Sequence, residues 1–180
     1  MELDEAFRWY REKIIDKWVG YALETYESSS FFKNEKDKFA NPVGGNTREA
    51  FSRLYTKLTL GADPGEFVAP LEQVMRIRAI QAFRPSQAVG PIHAIKHITR
   101  EILEKNKETR HLVVQLYDFE FAVDLAVLAA FDLYMQCREQ LYQVRIKEIK
   151  TGSFILTDSR CPSNLLKTDA LEPITVLQDI

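Results

Sequence analysis

Few residues in this chain are of types and spacings that could do chemistry. His93 and His97 stand four apart in "IHAIKHITREIL", a spacing that on a helix can bring two imidazoles to one metal ion. Two ligands are too few for a site, and the third histidine, His111, lies across a connection. Ile92, Ile95, Ile98 and Ile102 define the inward face of that helix, which leaves His93 and His97 on or near its polar side with Arg100 and Glu104. No metal site is expected. A haem would need one histidine facing an apolar pocket, and His97 is the nearest candidate.

Asp118, Asp124 and Asp132 mark the most apolar part of the chain. Asp118 and Asp132 share roughly one helix face, but a rise of ~1.5 Å per residue separates them by about 21 Å, too far for a catalytic pair. Asp124 sits inside "AVDLAV", where an uncompensated carboxylate is costly, so it is expected to find a partner, with Arg76 or Arg78 of "RIRAI" as the buried ion-pair candidates. The stretch "FANPVGGNTREAF" invites comparison with a phosphate-binding loop. It lacks the preceding strand, the second glycine at the right distance and the Lys-Ser/Thr that such loops need, and reads instead as a corner between two helices. No serine or cysteine nucleophile constellation appears, "GxSxG" is absent, and no catalytic residue is assigned.

The elements that would hold these residues are helical. Leu3, Ala6, Phe7, Tyr10, Ile14 and Trp18 repeat at three- and four-residue steps, which predicts an amphipathic helix to about Glu27. A second helix is expected after the glycines, capped by Thr47 and facing inward with Phe51, Leu54, Tyr55 and Leu58, with Gly61 at its end. "GADPGEF" gives a third start, with Asp63 as cap, Pro64 first in the helix and Glu66 at the capping-box position; that helix runs to Phe83. Pro85 stops it and Ser86 caps a fourth. Within the fourth, Pro91 cannot donate to the Gln87 carbonyl, which predicts a kink or a restart. The last helix, from about Arg110 to Ile149, is apolar nearly all round in its middle and is expected to be central. Tyr134, Cys137, Leu141 and Val144 follow a three-four spacing near its end; they are candidates for a dimer contact or for packing against the tail. Residues 151–180 have no helical period and read as an extended, partly ordered tail that contains Cys161.

The totals agree with one domain spanning residues 1–150 plus that tail. The chain has 180 residues, 46% of them hydrophobic and 28% charged, enough for one full core. A net charge of -2, with Lys13, Lys17, Lys33, Lys36 and Lys38 interleaved with acids, gives no nucleic-acid stripe. The charged N-terminus lacks a signal-peptide pattern, and Asp124 and Asp132 interrupt the one long apolar stretch, so no membrane insertion and a cytoplasmic location are expected.

Three pieces, "NPVG" at Asn41–Gly44, "VMRIRAIQAFRPSQAV" at Val74–Val89 and "IKHITREIL" at Ile95–Leu103, with Trp18 and Tyr26 ahead of them, resemble the N-terminal sensor domain of the RsbR and RsbRD type, the RsbT co-antagonists of bacterial stress signalling. The resemblance spans about residues 5 to 148. It implies an all-α, globin-like bundle of five to six helices without haem or other cofactor. It also implies a signal-input or partner-binding role, and a dimer whose long last helix leads into an output domain. Residues 150–180 are too few for such an output. The expectation is therefore a non-enzymatic sensor or adaptor that binds a protein partner, a second copy or a small apolar ligand. The alternative is a globin-like protein that holds haem or a small apolar ligand between the fourth and last helices.

Overall fold

The computed structural model of the protein describes residues 1–26, 41–81 and 83–151. Among them are six α-helices, two 3₁₀ helices and no strand. The expected first helix is divided into α1 (Leu3–Trp9) and α2 (Arg11–Glu24). The break at Tyr10 is slight: its N–H still reaches Ala6 O at 2.9 Å, and Ile14 N–H reaches Tyr10 O at 2.9 Å. One apolar face therefore continues through Ala6, Phe7, Ile14, Ile15, Trp18, Val19, Ala22 and Leu23, all buried.

Helix α3 spans Pro42–Thr59, so the "NPVGGN" stretch opens a helix instead of joining two. Asn41 is its N-cap, with Oδ1 accepting from Gly44 N–H at 2.8 Å, and Pro42 takes the first position, where no donor is needed. Thr47, expected as the cap, is buried inside the helix and donates to Val43 O at 2.8 Å. Any corner ahead of α3 falls in residues 27–40, outside the described residues. A Cβ on Gly44 would sit 2.4 Å from Asn41 Nδ2, so the cap and the glycine require each other. Phe51, Leu54, Tyr55 and Leu58 face inward as expected. Phe51 stacks on Trp18 with ring centroids 4.0 Å apart, and the Tyr55 hydroxyl donates to Phe7 O at 2.9 Å.

The Asp63–Pro64 signal starts a 3₁₀ turn, Pro64–Phe67, and α4 begins only at Val68 and ends at Ile80. Glu66 forms no capping box; it accepts from Lys57 Nζ at 2.6 Å. Pro70 therefore falls in the first turn of α4, where it costs nothing. Helix α5 spans Pro85–Glu104 and its N-cap is Arg84, not Ser86. It neither stops nor restarts at Pro91. After a 3₁₀ turn at Arg110–Gln115, α6 runs from Tyr117 to Thr151. It is long, as expected, but it is not wrapped on all sides. Phe119, Val123, Ala126, Ala130, Tyr134 and Cys137 are buried, while Phe121, Leu128, Phe131 and Met135 are exposed. Residues Met1–Leu141 form one compact unit; a second begins at Tyr142, and its described part is the end of α6. The expected tail and Cys161 lie outside the described residues. No described helix is long and apolar enough to cross a membrane.

The cap geometry predicts opposite signs for two glycine substitutions. Gly20 lies inside α2 with open space around it, so Gly20→Ala should raise stability by about 0.5–1 kcal/mol. Gly44→Ala should lower it by about 1 kcal/mol, because the new methyl displaces the Asn41 cap. Urea unfolding of the two variants beside the parent checks both signs.

Candidate functional site

The chemically most constrained point of the molecule is Arg78 on α4. It is 1% exposed, and no carboxylate pairs with it among the described residues. Its guanidinium is satisfied by backbone and hydroxyl instead. Nη1 donates to Gln87 O at 3.0 Å, and Nη2 donates to Ala22 O and to Thr25 Oγ1, each at 3.0 Å. Tyr26 and Phe83 lie on it as rings, with centroids 5.0 and 4.9 Å from its central carbon. The two rings meet edge to face at 5.1 Å. Burial lowers the Arg78 pKa from its ordinary value and raises that of Tyr26, and the charge of each partly offsets the other's shift.

Local structure leaves the first of these acceptors short of a donor. Gln87 O stands four residues before Pro91, which has no N–H to give it. Ala22 O belongs to the last turn of α2; Thr25 reaches it with its N–H at 3.4 Å and its Oγ1 at 2.7 Å, and Arg78 adds a donor from another helix. The proline turn is held from α2 as well, since Trp18 Nε1 donates to Pro91 O at 2.6 Å. Helix α6 grips the α4–α5 corner from its other side. Arg138 Nη1 donates to Ala79 O at 3.0 Å, and the Tyr134 hydroxyl donates to Phe83 O.

The residues singled out by sequence divide differently from expectation. Asp124 pairs with neither Arg76 nor Arg78. It is half exposed and takes Lys96 Nζ at 2.9 and 3.0 Å, because it faces the seam between α5 and α6 and not the core. One turn away, Arg100 Nη2 meets Glu120 Oε1 at 2.6 Å, a second rung across the same seam. Arg76 is exposed and bonds Glu72 on its own helix at 2.8 Å. His97 is exposed, as are His93 and His111, so it does not face the apolar interior that a haem iron would occupy. Asp118 and Asp132 are exposed. Of the dimer-contact candidates, Tyr134 and Cys137 are buried against the bundle, while Leu141 and Val144 are exposed. Among the described residues, no group of three or more His, Cys, Asp or Glu side chains could hold a metal.

Sequence reading missed the exposed stripe of α6. Tyr117, Phe121, Leu128, Phe131 and Met135 are 76%, 55%, 61%, 43% and 44% exposed. With Asp124 between them they continue a four-three repeat, a second seam opposite the buried one. The signal was present in the spacing, but a helix apolar on two faces reads as one apolar on all.

The model of the RsbT co-antagonist protein rsbRD N-terminal domain family matches residues 12–149. The chain belongs to that family. No curated protein matches the chain, and no solved structure does.

Arg78→Met should cost about 2–4 kcal/mol in urea unfolding, since it strands the Gln87 carbonyl and removes the hydrogen bonds that join α4 to the end of α2. Arg78→Lys should recover little of this, because an ammonium cannot reproduce the planar fork between two rings. Arg76→Met, on the same helix but exposed, should stay within about 0.5 kcal/mol of the parent.

Proposed function

We propose that this domain is a cytoplasmic signalling module, a sensor or adaptor that works by binding and not by catalysis, and that a second copy of the chain is one of its partners. Membership of the rsbRD N-terminal domain family supports the signalling role. The observation that carries the binding role is the exposed stripe on α6, from Tyr117 to Met135. Large apolar side chains repeated along one face of a surface helix are costly in water and are the pattern by which helices pair.

Of the contact expected at Tyr134, Cys137, Leu141 and Val144, the bundle consumes the first two side chains and leaves the other two exposed, and the stripe is the larger apolar face. Leu128 and Phe131 lie in the middle of the new surface and are its anchors. The Lys96–Asp124 pair lies at its flank, so the one carboxylate within the repeat is already partnered and need not be buried alone. A signal that altered how α6 is gripped by Tyr134 and Arg138 would alter the presentation of this face. That is the route by which a change inside the domain would reach its partner.

Sedimentation equilibrium tests the pairing. The parent should approach twice 20.8 kDa as its concentration rises. Leu128→Glu and Phe131→Glu should each shift it toward the single-chain mass with an unchanged helical circular-dichroism spectrum. A parent that stays at the single-chain mass across the concentration range removes the second copy as a partner.

A further inference from the structure

A second surface lies on the face where α1 meets the end of α3. Two grooves flank Leu60 there. One, of about 260 Å³, runs between α1 and α3 and has Phe7, Arg8 and Tyr55 in its lining. The other, of about 490 Å³, lies toward Ala62 and has Arg53 and Lys57 in its lining. Thr56 and Leu60 border both. Leu60 is 77% exposed, yet it is not a loose loop residue. It is the C-cap of α3, with its N–H on Thr56 O at 3.1 Å. Gly61 then turns back at φ 64°, and Ala62 N–H closes onto Lys57 O at 3.0 Å. This is a helix-ending turn that fixes the leucine in an outward position.

The charges around this leucine are unequal. Lys57 is bonded to Glu66 at 2.6 Å, and Arg11 to Glu12 at 2.7 Å. Arg8, in the first groove, and Arg53, in the second and two turns before Leu60 on α3, have no hydrogen-bond or ion-pair partner among the described residues. Against them stands one unpaired carboxylate, Asp4, at the edge of the first groove. Two of the helix-end carbonyls are occupied, Thr56 O by Leu60 N–H and Lys57 O by Ala62 N–H. What remains open is one fixed leucine, two open, mostly apolar hollows that share it, and an unpaired guanidinium in the lining of each. Sites for small molecules enclose most of their ligand, which two open hollows do not do.

We propose that this surface docks an acidic segment of a partner protein, one that packs an apolar side chain against Leu60 and sets carboxylates on Arg8 and Arg53. Guanidiniums suit this role because they bind carboxylates through two parallel hydrogen bonds. The inference rests on the reading of the domain as a binding module, and adds to it the chemistry of the partner.

Selection from a displayed library of random peptides of about a dozen residues, on the immobilised full chain at low salt, tests it. The enriched peptides should carry several Asp or Glu around a leucine or an aromatic residue. Their affinity, read by fluorescence anisotropy, should fall by about tenfold or more with Arg53→Glu, with Arg8→Glu and with Leu60→Asp, and should weaken as salt rises. All three are exposed positions, and circular dichroism confirms folding. Enriched peptides without acidic bias, or peptides that bind these variants as well as the parent, overturn the proposal. If such peptides instead lose binding with Leu128→Glu, the binding role survives at α6 and this surface does not. If Arg53→Glu turns a dimeric parent into single chains, the occupant is a second copy and the acidic partner is wrong. A library that yields no binder overturns this proposal and leaves the α6 pairing to its own test by sedimentation.

Discussion

The arrangement of this bundle depends on one buried guanidinium. A proline in the second turn of a helix frees a carbonyl, and the end of another helix leaves carbonyls unfilled. Arg78 fills the first and joins the Thr25 donors at the second, giving one nitrogen to Gln87 O and the other to Ala22 O and Thr25 Oγ1. Only arginine has the reach, the fixed fork and the permanent charge to do so, and its planar face lets Tyr26 and Phe83 lie on it. The cost of burying a cation without a carboxylate is offset by these acceptors, and they in turn fix where α2, α4 and α5 stand.

Three other tertiary hydrogen bonds converge on the same region. Trp18 reaches Pro91 O because α2 is drawn onto the proline turn, and its ring then stacks on Phe51 of α3. Tyr134 and Arg138 hold α6 against the corner between α4 and α5 through Phe83 O and Ala79 O. With these contacts on one side of α6, its other side is left outward, and that side carries Phe121, Leu128, Phe131 and Met135. The interior clasp and the exposed binding face are thus two sides of the same helix. This also gives a physical reason for the segment "RIRAIQAFRPSQAVGP": it contains the guanidinium, one of its rings, the orphaned carbonyl and the proline that orphans it.

Much of the fold was legible because helix periodicity and start signals are local. The inward faces of α3 and α5, the Asp63–Pro64 start and the Pro91 defect could all be read from neighbouring residues. The restart weighed at Pro91 does not occur, and the donor that the Gln87 carbonyl then lacks, Arg78, comes from another helix. Glycines look like loop and so point to Thr47 as the cap; Asn41 and Gly44 form instead a tight pair in which each residue makes room for the other. Asp124 was matched to the nearest arginines in an expected core, whereas its neighbour across the α5–α6 seam is Lys96. Pairing partners between helices depend on relative placement, which no single-helix pattern encodes. The same limit hid both surfaces: exposure is decided by what packs where.

The central claim is that Arg78 ties the end of α2, the proline turn of α5 and the grip on α6 into one cooperative unit. Native-state hydrogen exchange of Arg78→Met beside the parent tests it most directly. Amides in the last turn of α2, in residues 79–91 and in residues 130–138 of α6 should lose protection together in the variant, while those around Phe51 to Leu58 of α3 keep theirs. Loss confined to the turn that holds residue 78, with α6 unchanged, would contradict it.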